Sequence, residues 1–188
     1  MADFELAVAK TIANEGGDKY TETLNDNGGA TKYGISLRFM VGVYESPDEL
    51  KKSKGTVIER LFIRCPTKDT IRYLTECEAK FIYKMYFWDR NRYGEISDQY
   101  IADKIFDLSV LMGAPKVNKI FQSCFNLVSD GVIGQKTISE LNMLPKFVKY
   151  DDIFNVIENR FTKYLLSICN KDRTQDDKLK GWLNRVMS

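Results

Sequence analysis

Two acids and a hydroxyl sit among glycines near the start of the chain, in Glu15-Gly16-Gly17 and in Asn25-Asp26-Asn27-Gly28-Gly29-Ala30-Thr31-Lys32-Tyr33-Gly34-Ile35-Ser36. Side chains of these types, held close by tight turns, suit proton transfer on carboxyl groups. Missing residues narrow the chemistry further. The 188 residues include no histidine, which excludes Ser-His-Asp and Cys-His nucleophilic sites, His-ligated zinc centres and imidazole acid–base catalysis. Cys65, Cys77, Cys124 and Cys169 show no Cys-x-x-Cys spacing, so neither a zinc site nor a redox pair is expected. Reading Gly28 as the glycine of a calcium loop would put Thr23 and Gly34 where carboxylates are required. No metal and no cofactor are expected, and glycoside hydrolysis is the main reaction that two carboxyls perform without either.

The preceding segment must aim the first acid. Phe4, Val8, Thr11 and Ile12 fall on one helical stripe, and Glu15 continues it at the helix C-terminus. Its carboxyl is therefore expected on the core side, where burial and the negative end of the helix dipole both favour the neutral acid. Gly16 and Gly17 supply the left-handed backbone that ends such a helix. Taken alone, Glu-Gly-Gly reads more readily as a solvated acid at a frayed end, and Asn25 to Gly29 as ordinary turn residues. Thr21, Thr23 and Leu24 before the Asn-Gly turn, with Thr31, Tyr33 and Ile35 after it, predict a short β-hairpin within residues 18–35.

Glu15-Gly16-Gly17, Asp26-x-Gly28-Gly29-x-Thr31-x-x-Gly34-Ile35, Phe87-Trp88-Asp89-Arg90, Phe106-Asp107, Met112-Gly113, Asp130-Gly131-x-x-Gly134-x-x-Thr137 and Gly181-Trp182-Leu183-Asn184-Arg185 follow one another along the chain. In this order they resemble glycoside hydrolase family 108, the phage endolysins and secretion-activator N-acetylmuramidases. The resemblance implies a lysozyme-like fold and a peptidoglycan hydrolase that cleaves the β-1,4 bond between N-acetylmuramic acid and N-acetylglucosamine, with Glu15 as catalytic acid. The Glu, Asp, Thr order is also similar to that of phage lysozymes, which implies that Asp26 and Thr31 lie across the cleft from the acid. Glycan strands of the wall would be the partner, reached through a holin, an exporter or cell lysis, in host lysis or protein secretion. A lytic transglycosylase would use the same groove and a single Glu, and a non-catalytic wall-binding secretion helper only the groove. A pure binder has no physical need for a buried proton donor.

The remaining sequence predicts a mainly α fold. Ile71, Leu74, Phe81, Ile82 and Met85 mark an amphipathic helix over about 67–87. Ile101, Ile105, Leu108 and Met112 mark another, and Phe154, Ile157, Phe161, Tyr164, Leu165 and Ile168 a long third. The expected organisation is a catalytic part at 1–95 and a helical part at 96–188 that resembles peptidoglycan-binding modules, packed as one body because no Pro- or Ser-rich linker separates them. With 44% hydrophobic residues the chain can bury a core without disulfides. No apolar run approaches the roughly 18 residues needed to cross a bilayer, so no stable membrane insertion is expected. A net charge of +2 gives no argument for nucleic acid. The N-terminus carries no basic stretch followed by an apolar one, so cytoplasmic synthesis without a Sec signal and action on the wall are expected, as a monomer.

Other side chains could border a groove. Trp88 and Tyr93 are candidates to line it with their ring faces, and Tyr33 is a better one by its closeness to Thr31, although core packing explains such aromatics equally well. Glu78, between Leu74 and Phe81 on an apolar stripe, reads as a second carboxyl or, more simply, as the partner of a nearby Lys or Arg. Asp107 reads as a buried structural acid, and Asp130-Gly131 as a turn leading into a helix near Gln135.

Overall fold

Helix α1 (Phe4–Asn14) forms where the stripe places it, with Val8, Thr11 and Ile12 buried. It closes in a glycine cap. The Gly17 N–H reaches the Ile12 carbonyl at 3.0 Å and the Gly16 N–H the Ala13 carbonyl at 3.2 Å, with φ at +87° on Gly16 and +62° on Gly17. This computed structural model describes residues 1–22 and 29–187. Asp26 and the Asn-Gly turn of the expected hairpin lie outside the described residues.

The chain divides into two units, one of Val8–Tyr86 and one of Met1–Ala7 with Phe87–Ser188. In the first unit, β1 (Thr31–Lys32) pairs antiparallel with β2 (Ile35–Ser36), and Thr21 bridges Thr31 through two 2.9 Å backbone bonds. Tyr33 and Gly34 are the turn of this hairpin rather than strand residues. Both have positive φ, 51° and 74°, the combination of a type I′ turn. Ser36 then caps α2 (Leu37–Glu45) by accepting the Phe39 N–H at 3.2 Å. After α3 (Pro47–Ser53), the predicted helix over 67–87 appears as two, α4 (Lys68–Arg72) and α5 (Glu76–Tyr83), followed by a π-helical turn at Lys84–Asp89. Thr75 causes the break, since its side chain caps α5 in a reciprocal box with Glu78. Glu78 thereby proves structural. It is buried, accepts the Thr75 N–H and hydroxyl, and pairs with Arg60 at 2.6 Å.

The second unit is helical: α6 (Gln99–Met112), α7 (Ala114–Cys124), α8 (Gln135–Phe147), α9 (Tyr150–Lys171) and α10 (Asp176–Met187). Helix α6 packs on α7 and on α10, and α9 on α7 and α10. Asp107 on α6 takes a forked pair of bonds from Arg185 on α10, Nε to Oδ2 at 2.6 Å and Nη2 to Oδ1 at 2.9 Å, with both side chains buried. The buried structural acid expected here is thus ion-paired to a guanidinium. The protein is thus mainly α with a small hairpin, and no helix among the described residues is long and apolar enough to cross a membrane.

Removing one half of a buried ion pair leaves a charge without compensation and costs about 3–5 kcal/mol. Arg185→Leu is expected to lower the thermal midpoint by roughly 10 °C, at about 2–4 °C per kcal/mol for a chain of this size. Calorimetry checks this, and an unchanged midpoint would contradict the structural role of the pair.

Candidate active site

Glu15 is the C-cap residue of α1, its N–H bonded to the Thr11 carbonyl at 3.0 Å, and it is half-buried. Its side chain leaves the helix toward the β1–β2 turn. A Cβ added at Gly34 would lie 2.6 Å from Glu15 Cγ, 2.8 Å from Glu15 Cβ and 2.4 Å from the Tyr83 hydroxyl. Three elements therefore converge on a point that only a glycine can vacate: the end of α1, the hairpin turn and the last residue of α5. Positive φ at Gly34 adds a second reason for that residue.

Hydrogen bonds hold the convergence in place. Tyr33 donates its N–H to the Gly17 carbonyl at 3.1 Å, tying the turn to the glycine cap that follows Glu15. The fully buried Tyr83 donates its hydroxyl to the Tyr33 carbonyl at 2.8 Å. Lys32 reaches the carbonyls of Arg72 and Leu74 at 3.1 and 2.8 Å, fastening β1 to the segment between α4 and α5. Thr31 sits in β1, half-buried, with its backbone engaged by Thr21. Hence Glu15, Thr31 and Tyr33 belong to one hydrogen-bonded assembly. The Tyr33 ring is only 9% exposed and lies under the Lys32 ammonium at 5.2 Å. Burial, with the charges of Asp18 and Glu76, pushes its phenol above the usual range.

Trp88 and Tyr93 do not line a groove. Trp88 is 3% exposed and Tyr93 wholly buried, in an edge-to-face cluster with Phe4 and Phe106 in which Trp88 and Phe106 centroids are 5.3 Å apart. Gly94 leaves the room the indole occupies, since a Cβ there would lie 2.8 Å from Trp88 Nε1. The Tyr93 hydroxyl donates to Asn118 Oδ1 at 2.8 Å, and burial raises its pKa. Large aromatic area drives these rings into a core, and the Tyr93 hydroxyl finds its partner there.

The Asp130–Gly131 loop is clamped from beneath by α7. Gln122 donates to Asp130 Oδ1 at 2.8 Å and to the Val132 carbonyl at 3.0 Å, and accepts the Gly131 N–H at 2.8 Å. Asn118 donates to the Gly131 carbonyl at 3.0 Å. The Val132 N–H, then Gln122, hold the Asp130 carboxyl below its ordinary pKa. Helix α8 starts at Gln135, as expected. Beside the loop lies a groove of about 560 Å³ bordered by Phe125, Leu127, Val128, Val132, Lys136 and Glu140 among others. Asp130, Gly134 and Thr137 of the motif singled out in the sequence border it too, whereas Phe125, Leu127 and Val128 carried no signal there.

The sequence profile of glycosyl hydrolase 108 matches residues 8–113, more than half of the chain. The chain belongs to glycosyl hydrolase family 108, a glycoside hydrolase family. A solved structure of Brucella abortus SagA is similar, with a TM-score of 0.64, 22% identity, and coverage of 98% of this chain and 93% of that one, a likeness of fold. No curated protein matches.

Gly34→Ala should destabilise the protein by about 1–3 kcal/mol from its left-handed backbone alone, before the clash with Glu15 and Tyr83 is relieved. Urea denaturation measures the loss. A variant as stable as the parent would show that the turn accepts a side chain.

Proposed function

We propose that the protein hydrolyses the β-1,4 bond between N-acetylmuramic acid and N-acetylglucosamine in peptidoglycan, with Glu15 as general acid. The observation that carries this reading is the seat of Glu15, a half-buried glutamate at a helix C-terminus whose methylenes pack against the hairpin that bears Thr31, in a chain of this family. Such a carboxyl can protonate the leaving oxygen as the oxocarbenium-like transition state develops. Asp26 supplies the second carboxyl, facing the developing positive charge or, together with Thr31, orienting the attacking water. The separation of the two carboxyls sets the stereochemistry: roughly 6.5–9.5 Å leaves room for a water and inverts, whereas about 5–5.5 Å retains. Tyr33 contributes chiefly through its backbone turn, because little of its ring is open to a sugar.

In the helical unit of residues 87–188, the groove beside Asp130–Gly134 is where we place contact with the wall. We further propose that the protein acts outside the cytoplasm as a monomer, in host lysis or in secretion, and reaches the wall through a holin, an exporter or lysis.

The test is digestion of purified peptidoglycan followed by mass spectrometry of the released sugar ends. Glu15→Gln is expected to keep the thermal midpoint and lose about 10²–10⁴-fold in turnover, the usual contribution of a positioned acid. Asp26→Asn should lose less if it only orients. Equal wall clearing by Glu15→Gln and the parent refutes the assignment. Products with 1,6-anhydro ends would instead identify a transglycosylase.

A further inference from the structure

We infer that Tyr83 is a positioning residue for Glu15, acting through the Tyr33–Gly34 turn, and that its hydroxyl sets the direction in which the carboxyl is presented. The inference rests on the assignment of Glu15 as the acid. Tyr83 is the last residue of α5 and is fully buried. A phenol buried for packing alone needs any hydrogen-bond acceptor, yet this one takes the carbonyl of Tyr33, one residue before the glycine against which Glu15 lies. The hydroxyl and the Glu15 methylenes crowd the same absent Cβ, at 2.4 Å from the hydroxyl and 2.6 Å from Cγ. Glu15 can therefore turn neither into the volume over Gly34 that the hydroxyl fills nor through the turn backbone.

The remaining freedom of that backbone is removed from its other side by the 3.1 Å bond from the Tyr33 N–H to the Gly17 carbonyl. Tyr33 is thus fixed at both its N–H and its C=O, one bond going to the cap of Glu15's own helix and one to Tyr83. Loss of the second bond frees the turn to shift by a fraction of an ångström. A misplacement of about 1 Å at a reacting group can cost 10²-fold in rate. Substrate contacts elsewhere would be untouched, so the loss should fall on kcat and leave KM in place.

The experiment measures kcat and KM for release of reducing ends from soluble peptidoglycan fragments by the parent, Tyr83→Phe, Glu15→Gln and the double variant, with thermal midpoints for each. Tyr83→Phe is expected to lower kcat about tenfold with KM within about twofold. The double variant should be no slower than Glu15→Gln alone, because the effect of Tyr83 passes through Glu15. Unchanged kcat in Tyr83→Phe, or independent losses that multiply in the double variant, would overturn the inference while leaving Glu15 as the acid. Full activity in Glu15→Gln would overturn the catalytic assignment itself, and the inference with it. Should the Phe variant fail to fold, Tyr83→p-aminophenylalanine keeps a donor toward the Tyr33 carbonyl. It is expected to retain kcat within about threefold of the parent, and a folded variant of this kind with a tenfold or larger loss would count against the inference.

Discussion

The volume left open at Gly34 is the constraint on which the arrangement around Glu15 depends. A helix end, a two-residue turn and the last residue of α5 approach so closely there that a single methyl group would collide with two of them. Two side chains thus press on a left-handed turn, and a type I′ hairpin turns within two residues and keeps β1 beside the helix cap. Tyr33 then needs partners for both of its backbone groups, and finds them in Gly17 and Tyr83. The turn beside the candidate acid is thus held through the backbone N–H and carbonyl of Tyr33.

Elsewhere the polar residues inside the protein hold segments in place. Glu78 with Arg60 and Thr75 starts α5, and so sets where Tyr83 falls at its other end. Asp107 with Arg185 joins α6 to α10. Asn118 and Gln122, both buried on α7, shape the Asp130–Gly131 loop from below. Each of these groups is fully partnered, which is the condition under which a buried polar side chain specifies a structure instead of weakening it. Phe106-Asp107 and the Arg of Gly181-Trp182-Leu183-Asn184-Arg185 have a structural account in this way.

Much of the helical framework was legible because apolar residues repeat at helical spacing. The stripes of α1, α6 and α9 appear where the pattern puts them. Helix α7 was harder to read, since Asn118 and Gln122 interrupt its buried face with polar side chains whose partners lie in a distant loop. The division of the 67–87 segment was hidden for a related reason: periodicity continues across residues 73–75, and only the capping box of Thr75 and Glu78 reveals the restart. Tyr33 read as strand because it alternates with Thr31 and Ile35, whereas the positive φ values of Tyr33 and Gly34 make these two the turn.

By itself the chain determined the helical class and the glycine cap after Glu15, and excluded chemistry that needs histidine, since residue types, spacing and the lack of histidine are local facts. Tertiary structure alone decided that Trp88 and Tyr93 belong to a core, that Glu78 and Asp107 are ion-paired, and that Tyr83 stands beside Glu15. The physical reason is that burial and pairing depend on which distant segments meet. An aromatic or an acid on an amphipathic stripe looks the same in sequence whether a neighbouring element or solvent finally covers it.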